Sequence, residues 1–385
     1  MRFLHTADWH LGRLFHGTHL TDDQAHVLDQ FVDLARDLRP DAIVIAGDVY
    51  DRAVPPPEAV ALLDDVLTRL VFDLKIPTIA IAGNHDSGER LQFGAPLLRG
   101  AGLHLVGCLR GCPTAIVLRD EHGPVHFYGL PYAEPFQVRA VLNDDSIRDH
   151  QSAMEALLSG IRATHPAGER SVLIGHAFVS GAAESESERP LSVGGAGTVP
   201  HTTFDGFHYT ALGHLHAPQH FSEGRVRYSG SLLKYSFDEA YQQKGVLVVD
   251  MDANGVCTVE RVELRPRRDV RRAAGLFEEL LRGPAAGASI DDYLMVQLAD
   301  TGLILDAAAR LREVYPNLLH LERTGYRDET QDYRAPRDLK KLSDAELFTG
   351  FFAQMTGLDA TPEQQACFVS AVDAVRGAER EVGAL

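Results

Sequence analysis

The chain has 385 residues, of which 45% are hydrophobic, enough for a full core and for two or three domains. Lys and Arg total 37 against 54 Asp and Glu, and this net charge of -17 argues against a general electrostatic grip on nucleic acid. If the substrate carries phosphates, bound cations or a partner must supply positive charge. The acidic balance also fits a simple need for solubility, because net charge says little about a local site.

The sequence carries no signal of export, disulfide bonding or membrane insertion. Four cysteines without a C-x-x-C pair are typical of reduced cytosolic thiols: Cys108, Cys112, Cys257 and Cys367. The N-terminal residues enter a strand without the apolar stretch of a signal peptide, and no run approaches the roughly 20 apolar residues that span a bilayer. We expect a soluble, cytoplasmic protein with no membrane partner.

The first 264 residues alternate short β-branched runs with helical stretches, the pattern of an α/β fold. Late strands follow one another without helices, so the sheet should be mixed. Ten strands are many for one open sheet, and the sequence therefore predicts two packed mixed β-sheets flanked by helices. The predicted strands are Phe3–His5, Ala42–Ile45, Thr78–Ile81, Thr114–Leu118, Val125–Tyr128, Val172–Ile174, Tyr209–Leu212, Arg225–Tyr228, Val246–Val249 and Val256–Val262.

A change in composition predicts a domain boundary after residue 264. The segment Arg265–Arg268 is basic and contains proline, with Arg271 and Arg272 close behind. A small α+β unit should follow over 265–330, with helix Ala273–Leu281, strand Tyr293–Leu298, helix Asp306–Tyr315 and strand Leu318–Glu322. The polar segment Thr324–Arg337 is typical of a linker.

The remaining residues, 331–385, comprise the end of this linker and a predicted helical hairpin. Capping boxes mark both helix starts, Ser343 with Glu346 and Thr361 with Gln364. Two short helices cannot easily bury three phenylalanine rings between themselves, so part of the apolar surface should dock on a partner or on the first domain. The stripes consist of Leu347, Phe348, Phe351, Phe352 and Met355, and of Phe368, Ala371, Val372 and Val375.

Four apolar runs end in glycine followed at once by a residue of metal-ligand type. They are Gly47-Asp48, Gly83-Asn84-His85-Asp86, Gly175-His176 and Gly213-His214-Leu215-His216, and a fifth run ends in Asp8-Trp9-His10. A glycine past the strand frees φ for a sharp turn, which points the next side chain into a crevice at the sheet edge. One such motif alone is weak evidence for a metal site, because Gly-Asp is a common turn and a lone Gly-His is usually structural. The ordered set predicts a metal site.

The number of potential ligands exceeds what one ion can bind. Two carboxylates, one amide oxygen and four imidazoles suit Mn, Fe or Zn better than an all-oxygen Mg site. Two ions about 3.5 to 4 Å apart with one bridging carboxylate would use them all, and such a pair activates water for in-line attack on phosphorus. The sequence thus predicts a metal-dependent hydrolase with the ligands Asp8, Asp48, Asn84, His10, His176, His214 and His216.

His85 lies between Asn84 and Asp86 and has two possible roles. It could be an eighth ligand, although adjacent side chains in extended backbone diverge. A histidine near the phosphate, oriented by a carboxylate such as Asp86, would instead stabilise the pentacovalent transition state or protonate the leaving oxygen.

Taken together, the five motifs resemble the signature of the calcineurin-like metallophosphoesterases. Further segments resemble bacterial nucleases of that family: His5–Gly12, Gly47–Arg52, Leu191–Gly195, Tyr228–Ser231 and Ser236–Glu239. The resemblance covers essentially the whole chain, strongly to about residue 264 and more loosely in architecture beyond it.

The resemblance implies which metal ions the site binds and which ligands hold each ion. Asp8, His10, Asp48 and His216 would hold one manganese ion, and Asp48, Asn84, His176 and His214 the other, with Asp48 as the bridge. Magnesium, iron and zinc are alternative occupants. His85 would act on the transition state and Asp86 would orient it.

The resemblance also implies a nucleoid-associated homodimer that works with an SMC-like ATPase. It would cut double-strand ends exonucleolytically, and hairpins or single strands endonucleolytically. The chain has no Gly-x-x-x-x-Gly-Lys-Ser/Thr loop, so ATP hydrolysis must lie in the partner. Residues 265–330 resemble the DNA-capping domain, and the hairpin resembles the segment that binds the base of the ATPase coiled coil.

One position departs from part of the family. Archaeal and eukaryotic relatives carry His three residues after the bridging Asp, where this chain has Asp51. A carboxylate cannot act as a protonated imidazole, so this position cannot serve duplex end processing in the same way. The alternative is a structural partner of Arg52 or of a neighbouring loop.

Contacts to DNA and to a second copy are less specific in the sequence. Candidate phosphate contacts, each equally explicable as a solvated surface charge, are Arg13, His16, Arg90, Arg267, Arg268, Arg271 and Arg272. By resemblance, the helices Glu58–Leu70 and Gly88–Leu98 are candidates for dimer packing.

Two other functions compete with a nuclease. A phosphoesterase for a small phosphodiester or a phosphoprotein would share the metal site, but it would not explain the basic boundary and the helical tail. A metal-free scaffold that kept only the fold should have gaps among its ligands, and this chain has none.

Overall fold

The structure is a computed structural model that describes residues 1–188, 197–302, 304–324, 344–356 and 359–371. Several predicted features lie outside these ranges: the linker after Thr324, the first capping box at Ser343, the segment Leu191–Gly195, and Val372 and Val375. Within the described ranges, none of the helices combines the length and apolar character needed to cross a bilayer.

The structure has all ten strands predicted for the first 264 residues, with small shifts in their bounds, and six further strands among the described residues. In chain order, the strands are β1 (Arg2–Thr6), β2 (Leu14–Phe15), β3 (Thr18–His19), β4 (Ala42–Ile45), β5 (Thr78–Ile81), β6 (Leu103–Val106), β7 (Ile116–Asp120), β8 (Gly123–Leu130), β9 (Arg170–His176), β10 (Phe178–Val179), β11 (Thr198–Val199), β12 (Tyr209–Gly213), β13 (Gln219–Phe221), β14 (Val226–Tyr228), β15 (Gly245–Met251) and β16 (Cys257–Glu263).

The α-helices of the same part are α1 (Thr21–Leu38), α2 (Pro57–Thr68), α3 (Gly88–Leu91), α4 (Ala95–Leu98), α5 (Pro135–Leu142) and α6 (His150–Thr164). α1 shows why such segments are helical. Its buried residues Val27, Leu28, Phe31, Val32 and Ala35 recur every three or four positions, and the helix ends where Arg39 adopts a left-handed φ of 47°.

Two six-stranded mixed sheets form the main layers, as predicted. One has the order β16-β15-β1-β4-β5-β6, in which β1, β4, β5 and β6 are parallel. The other has the order β13-β14-β12-β9-β8-β7, in which β14, β12, β9 and β8 are parallel. The parallel strands of each sheet bring their carboxyl ends to one edge.

The sheets pack face to face through an apolar layer. Phe3 on β1 makes edge-to-face contacts with Phe127 and Tyr209 of the other sheet, at ring centroid distances of 5.7 and 5.4 Å. Each such fully buried ring stabilises the fold by about 1.5–3 kcal/mol. Separate apolar clusters join α1 and α2 to the outer face of the first sheet, and α6 to that of the second.

Residues after 264 form a small parallel sheet instead of beginning with a helix. β17 (Val270–Gly275), β18 (Tyr293–Leu298) and β19 (Leu318–Arg323) pair in that order, with α7 (Phe277–Leu280) and α8 (Ala307–Val314) between them. The predicted helix Ala273–Leu281 is therefore wrong over its first residues. Its alanines have high helix propensity, but ladder pairing with β18 overrides that preference. We call residues 265–324 the capping unit.

The C-terminal residues form a compact unit of their own, Tyr326–Leu385. Its described helices are α9 (Asp344–Thr356) and a helical run at 362–371. The second capping box is confirmed, because Gln364 N–H donates to Thr361 Oγ1 at 3.3 Å and Thr361 N–H to Gln364 Oε1 at 2.9 Å. The two helices meet through stacked rings of Phe348 and Phe368, 4.3 Å apart.

Candidate metal centre

The predicted ligands lie where parallel strands of both sheets end. Asp8 and His10 follow β1, Asp48 follows β4 and Asn84 follows β5, while His176 ends β9 and His214 and His216 follow β12. Hydrogen bonds cross from one sheet to the other here. His214 N–H donates to Asp8 Oδ1 at 2.9 Å, and His176 Nδ1 donates to the Ala46 carbonyl at 2.9 Å.

Four of these ligands have unusual backbone. Asp8, His10, Asp48 and His214 have positive φ of 53°, 45°, 49° and 105°. Positive φ costs a non-glycine residue free energy, of the order of 1–3 kcal/mol, and persists where the surroundings fix it. Here Asp8 N–H donates to the Gly47 carbonyl at 3.0 Å, and His10 N–H to the Asp48 carbonyl at 2.9 Å. The two ligand loops therefore hold each other in this strained form.

The glycines before the ligands serve two different purposes. Gly47 has a φ of 93° and provides the expected turn. Gly83, Gly175 and Gly213 do not have positive φ, which corrects the prediction for them. A Cβ at Gly83 would lie 2.2 Å from Asp48 Oδ1, and one at Gly213 would lie 2.0 Å from the Ala46 carbonyl oxygen. Gly83 thus lets neighbouring loops of the first sheet approach each other, and Gly213 lets the two sheets approach closely enough for one shared site.

The side chains form two groups that share Asp48. Candidate ligand atoms of Asp8, His10 and Asp48 lie within 4.8 Å of one another, and so do those of Asp48, His176 and His214. The Oδ2 oxygen of Asp48 lies 3.7 Å from His10 Nε2 and 3.4 Å from His176 Nε2. Its other oxygen accepts the His85 N–H at 2.8 Å. One carboxylate is thus positioned between two groups of donors.

Lone pairs face one another in the second group. His176 donates through Nδ1 to a carbonyl, so Nε2 is the atom that holds a second proton or, once deprotonated, offers a lone pair to a metal ion. That atom lies 2.9 Å from Asn84 Oδ1, itself an acceptor and 3.2 Å from His214 Nδ1. Converging acceptors repel unless a proton or a metal ion lies among them. The donor set therefore fits a metal ion.

The first group shows the same feature. The Nε2 atoms of His10 and His216 face each other at 3.1 Å, while His216 Nδ1 lies 2.6 Å from Ser187 Oγ. Asp8 Oδ2 is fully buried and has no hydrogen-bond partner among the described residues. A buried oxygen of this kind costs free energy unless it is satisfied. With mixed oxygen and nitrogen donors, this group fits a transition-metal ion or zinc.

Burial and neighbouring charges set the protonation of the ligands. Burial lowers the pKa of His10 to about 4 and that of His214 well below its usual value, so both rings are neutral donors. Burial also raises the pKa of Asp8 well above its usual value, although the His176 ring opposes this. Burial disfavours protonation of His176 too, but the Asp48 carboxylate outweighs it and raises that pKa to about 9. A bound cation would replace the protons on Asp8 and His176 and so lower the pKa of both groups.

His85 is positioned differently from the prediction. Its Nδ1 lies 2.8 Å from the Asp51 carbonyl oxygen, so this nitrogen donates and Nε2 carries the lone pair or a second proton. Asp86 does not orient it, which corrects that prediction. The Asp86 carboxylate instead accepts backbone N–H groups from Gly83, Val49 and Tyr50, at 2.9, 3.1 and 2.8 Å. Asp86 therefore fixes the loop that carries Asp48.

Asp51 contacts a predicted ligand that sequence reasoning did not connect with it. Its Oδ1 lies 3.5 Å from His10 Nδ1 and accepts from Arg13 Nη1 at 2.9 Å. Burial would raise its pKa, but His10 and Arg13 lower it to about 2, so it is a carboxylate that can orient the imidazole. Its partner is Arg13 and not Arg52.

Further supporting residues have no motif of their own. Gln24 Nε2 donates to the carbonyl of His10 at 2.7 Å, and its Oε1 accepts from Gly12 N–H at 3.1 Å. Behind His216, Ser187 donates to the buried Glu239, which pairs with Lys244 at 2.5 Å. Burial opposes the ionisation of Glu239, but the Lys244 ammonium outweighs it and holds the pKa well below the ordinary range.

The predicted DNA contacts divide into half-buried side chains held in ion pairs and exposed side chains. Arg13 binds Asp51 and the Ser187 carbonyl, Arg268 pairs with the buried Asp23, and Arg271 pairs with Asp292. Their charge is balanced within the molecule, which leaves less of it for a contact with DNA. Arg272 is likewise paired, with Asp238. The exposed candidates are His16, Arg90 and Arg267.

Comparison with known proteins identifies the family. The sequence model of the calcineurin-like phosphoesterase family matches residues 1–218, more than half of the chain. The chain therefore belongs to the calcineurin-like phosphoesterase family, the metal-dependent phosphoester hydrolases predicted from its five motifs. A second model, described as the type 5 capsule protein repressor C-terminal domain, matches residues 266–356.

Two curated relatives match almost the whole chain, and both are the D component of the nuclease SbcCD. The protein from Staphylococcus epidermidis is 34% identical over 356 residues, which cover 92% of this chain and 94% of that protein. The protein from Staphylococcus saprophyticus is 33% identical over 364 residues, covering 94% and 96%. The similarity thus extends through the phosphoesterase sheets into the capping unit and the C-terminal helices.

Proposed function

We propose that the chain is a two-metal DNA nuclease that uses manganese, with exonuclease activity on double-strand ends and endonuclease activity on single strands and hairpins. The observation that carries the proposal is the convergence of buried acceptors from both sheets on the two sides of Asp48. The relatives' name supports the nuclease activity. Imidazoles in both groups favour manganese, iron or zinc over magnesium.

The residues would share the work of phosphodiester hydrolysis. Asp8, His10, Asp48 and His216 would hold one ion, and Asp48, Asn84, His176 and His214 the other. When bound, the ions would supply a nucleophilic water and neutralise charge on the phosphate. Asp48 is held for this by the His85 N–H and by its loop, which Asp86 fixes through three backbone amides.

His85 would be the proton-carrying group at the phosphate. The Asp51 carbonyl accepts from its Nδ1, and the described residues offer Nε2 no hydrogen bond. The ring is half-buried, so a substrate can reach it. A donor held in this way can stabilise charge on the transition state or protonate the leaving oxygen.

The partner of the proposed enzyme is an SbcC-type SMC-like ATPase. The name of the relatives, which makes them one component of SbcCD, supports a complex with another chain. In the C-terminal unit, Phe351 is 61% exposed beside the stacked pair Phe348 and Phe368. We assign residues 331–385 to binding the ATPase and 265–330 to capping DNA.

A homodimer would bury the apolar surface of α3 and α4. Phe93 and Leu97 are each 86% exposed there, although the predicted helix Gly88–Leu98 is two short helices in the structure. Two large apolar side chains on adjacent turns favour a protein contact over solvent. DNA would then approach past the exposed His16, Arg90 and Arg267.

The test is cleavage of a labelled linear duplex and a labelled hairpin by the purified chain with Mn²⁺. We expect cleavage of both, and its loss with chelator. A small phosphodiester serves as the comparison substrate. Turnover of that compound without cleavage of either DNA would contradict the nuclease proposal.

A further inference from the structure

A single helical turn, Phe237–Tyr241, separates the predicted metal ligand His216 from strand β17 of the capping unit. We call it the 237–241 turn. One of its side chains points inward to the metal centre, and other polar groups contact the capping unit directly or through Lys234. The two sets of contacts place this short segment between the residues that would hold the metal and the unit proposed to cap DNA.

The inward contacts are made by Glu239. Its carboxylate is fully buried and lies 2.5 Å from the buried Lys244 ammonium. It accepts a hydrogen bond from Ser187, whose Oγ lies 2.6 Å from His216 Nδ1. Lys244 in turn donates to the His216 carbonyl at 2.7 Å. Both the ring and the backbone of His216 are therefore tied to this group.

The direction of the hydrogen bonds follows from these partners. An ionised carboxylate paired with an ammonium can only accept, so the Ser187 hydroxyl must donate to Glu239. The oxygen of Ser187 is then free to accept from His216, which fixes the hydrogen on Nδ1. Nε2 is left as a lone pair facing His10 Nε2 at 3.1 Å. Glu239 also lies 3.3 Å from His216 Nδ1 itself. Through Ser187 and through this direct contact, Glu239 thus determines which nitrogen of His216 is available to a metal ion.

The outward contacts are made on either side of Glu239. Arg272 on β17 donates from Nε to the Phe237 carbonyl at 2.9 Å and pairs with Asp238. Lys234 donates to the Ala240 carbonyl at 2.8 Å and pairs with Asp269, just before β17, at 2.8 Å. The capping unit therefore holds the turn at both ends.

We propose that Glu239 is a positioning residue for His216 and that the capping unit acts on it through the 237–241 turn. A shift of β17 would move the turn and loosen the contact of Ser187 with His216. It would therefore lower the affinity of the site that His10 and His216 share for its metal ion. The inference rests on the proposed two-metal site, but it does not depend on DNA being the substrate.

The first test measures Mn²⁺ binding by calorimetry for the unaltered chain, Glu239→Ala and Ser187→Ala. Losing a group that orients a metal-bound histidine typically weakens affinity by about 10–100-fold. We expect this loss at one of the two sites only, in both variants. Ser187→Ala keeps the Glu239–Lys244 pair, so it answers the question even if Glu239→Ala unfolds.

The matched control is Asp120→Asn. Asp120 also forms a buried ion pair, with Arg170, but at the opposite end of the strands. We expect a lower melting temperature with both Mn²⁺ affinities unchanged. Equal weakening of both sites in Glu239→Ala and Ser187→Ala, or no weakening, would overturn the positioning role. An unaltered chain that binds no Mn²⁺ would instead contradict the proposed function.

The second test compares adjacent arginines of β17. Arg272 contacts the turn, whereas Arg271 contacts Asp292 and the Ser289 carbonyl inside the capping unit. We expect Arg272→Ala to weaken the same Mn²⁺ site several-fold and Arg271→Ala to leave both sites unchanged. Equal affinities for Arg272→Ala and the unaltered chain would overturn the coupling to the capping unit.

Discussion

The metal centre and the junction with the capping unit are both rich in ionisable side chains, yet they differ in how these are matched. At the junction, carboxylates form ion pairs with cationic side chains: Asp23 pairs with Arg268, Asp269 with Lys234, and Asp238 with Arg272. At the centre, carboxylates, an amide oxygen and imidazole lone pairs face one another. Matched charge holds units together, whereas unmatched acceptors mark the place where a cation belongs.

The largest effect should come from the residue that both groups share. Asp48→Ala removes the oxygen between His10 and His176. We expect loss of both Mn²⁺ ions and a decrease in DNA cleavage of about 10³-fold or more, because the ions supply several kcal/mol of charge stabilisation. Metal stoichiometry and cleavage rate are the measurements. A variant that keeps both ions would show that Asp48 is not the bridge.

His85→Ala should separate catalysis from metal binding. We expect it to bind two Mn²⁺ ions and to lose about 10²–10⁴-fold in cleavage rate, the usual contribution of a positioned acid or base. Asp86→Ala is the informative neighbour, since its carboxylate supports the Asp48 loop and not His85. It should lose metal affinity. Loss of an ion in His85→Ala would show that His85 is a ligand.

Asp51→Asn tests a carboxylate that contacts both a metal ligand and a base. It removes the charge beside His10 Nδ1, so we expect about 10–100-fold weaker Mn²⁺ binding at one site. Arg13→Ala leaves that carboxylate in place and should have a smaller effect. If Arg13→Ala weakens binding more than Asp51→Asn does, Asp51 is chiefly the partner of the arginine.

Asp120→Asn should affect stability alone. It leaves Arg170 buried without its counter-ion, which typically costs about 3–5 kcal/mol in the free energy of unfolding. Arg170 holds the pKa of Asp120 well below its usual range, so the pair stabilises the fold above the unfolded pKa of about 3.9. That stabilisation is lost as the pH falls toward the folded value. We expect the difference in free energy of unfolding between the unaltered protein and Asp120→Asn to be smaller below pH 4 than at pH 7. Denaturant unfolding of both proteins at the two pH values is the measurement.

Sequence reasoning found the parts of this molecule that repeat a local pattern. Ten strands and two mixed sheets follow from alternation and turn signals, and the seven predicted ligands lie after strands, as the motifs predict. The short edge strands β6 and β13 were missed because Leu103–Val106 and Gln219–Phe221 carry little alternation. The helix predicted from Ala273 was wrong because pairing with β18 lies outside any local signal.

The supporting residues could not be predicted, because their partners are distant in sequence. Glu239 contacts His216 both through Ser187 and directly at 3.3 Å, and Asp51 reaches His10 only after the loops of β1 and β4 meet. The role of Asp86 was misjudged for the same reason. A sequence shows that Arg268 and Arg271 are charged, but the fold determines that Asp23 and Asp292 neutralise them.

The central claim is that Asp48 joins two metal ions at the carboxyl ends of both sheets. Anomalous scattering from crystals of the Mn²⁺-loaded protein tests it most directly. The account predicts two manganese peaks about 3.5 to 4 Å apart, with Asp48 bound to both. A single peak, or two peaks of which only one contacts Asp48, would contradict it.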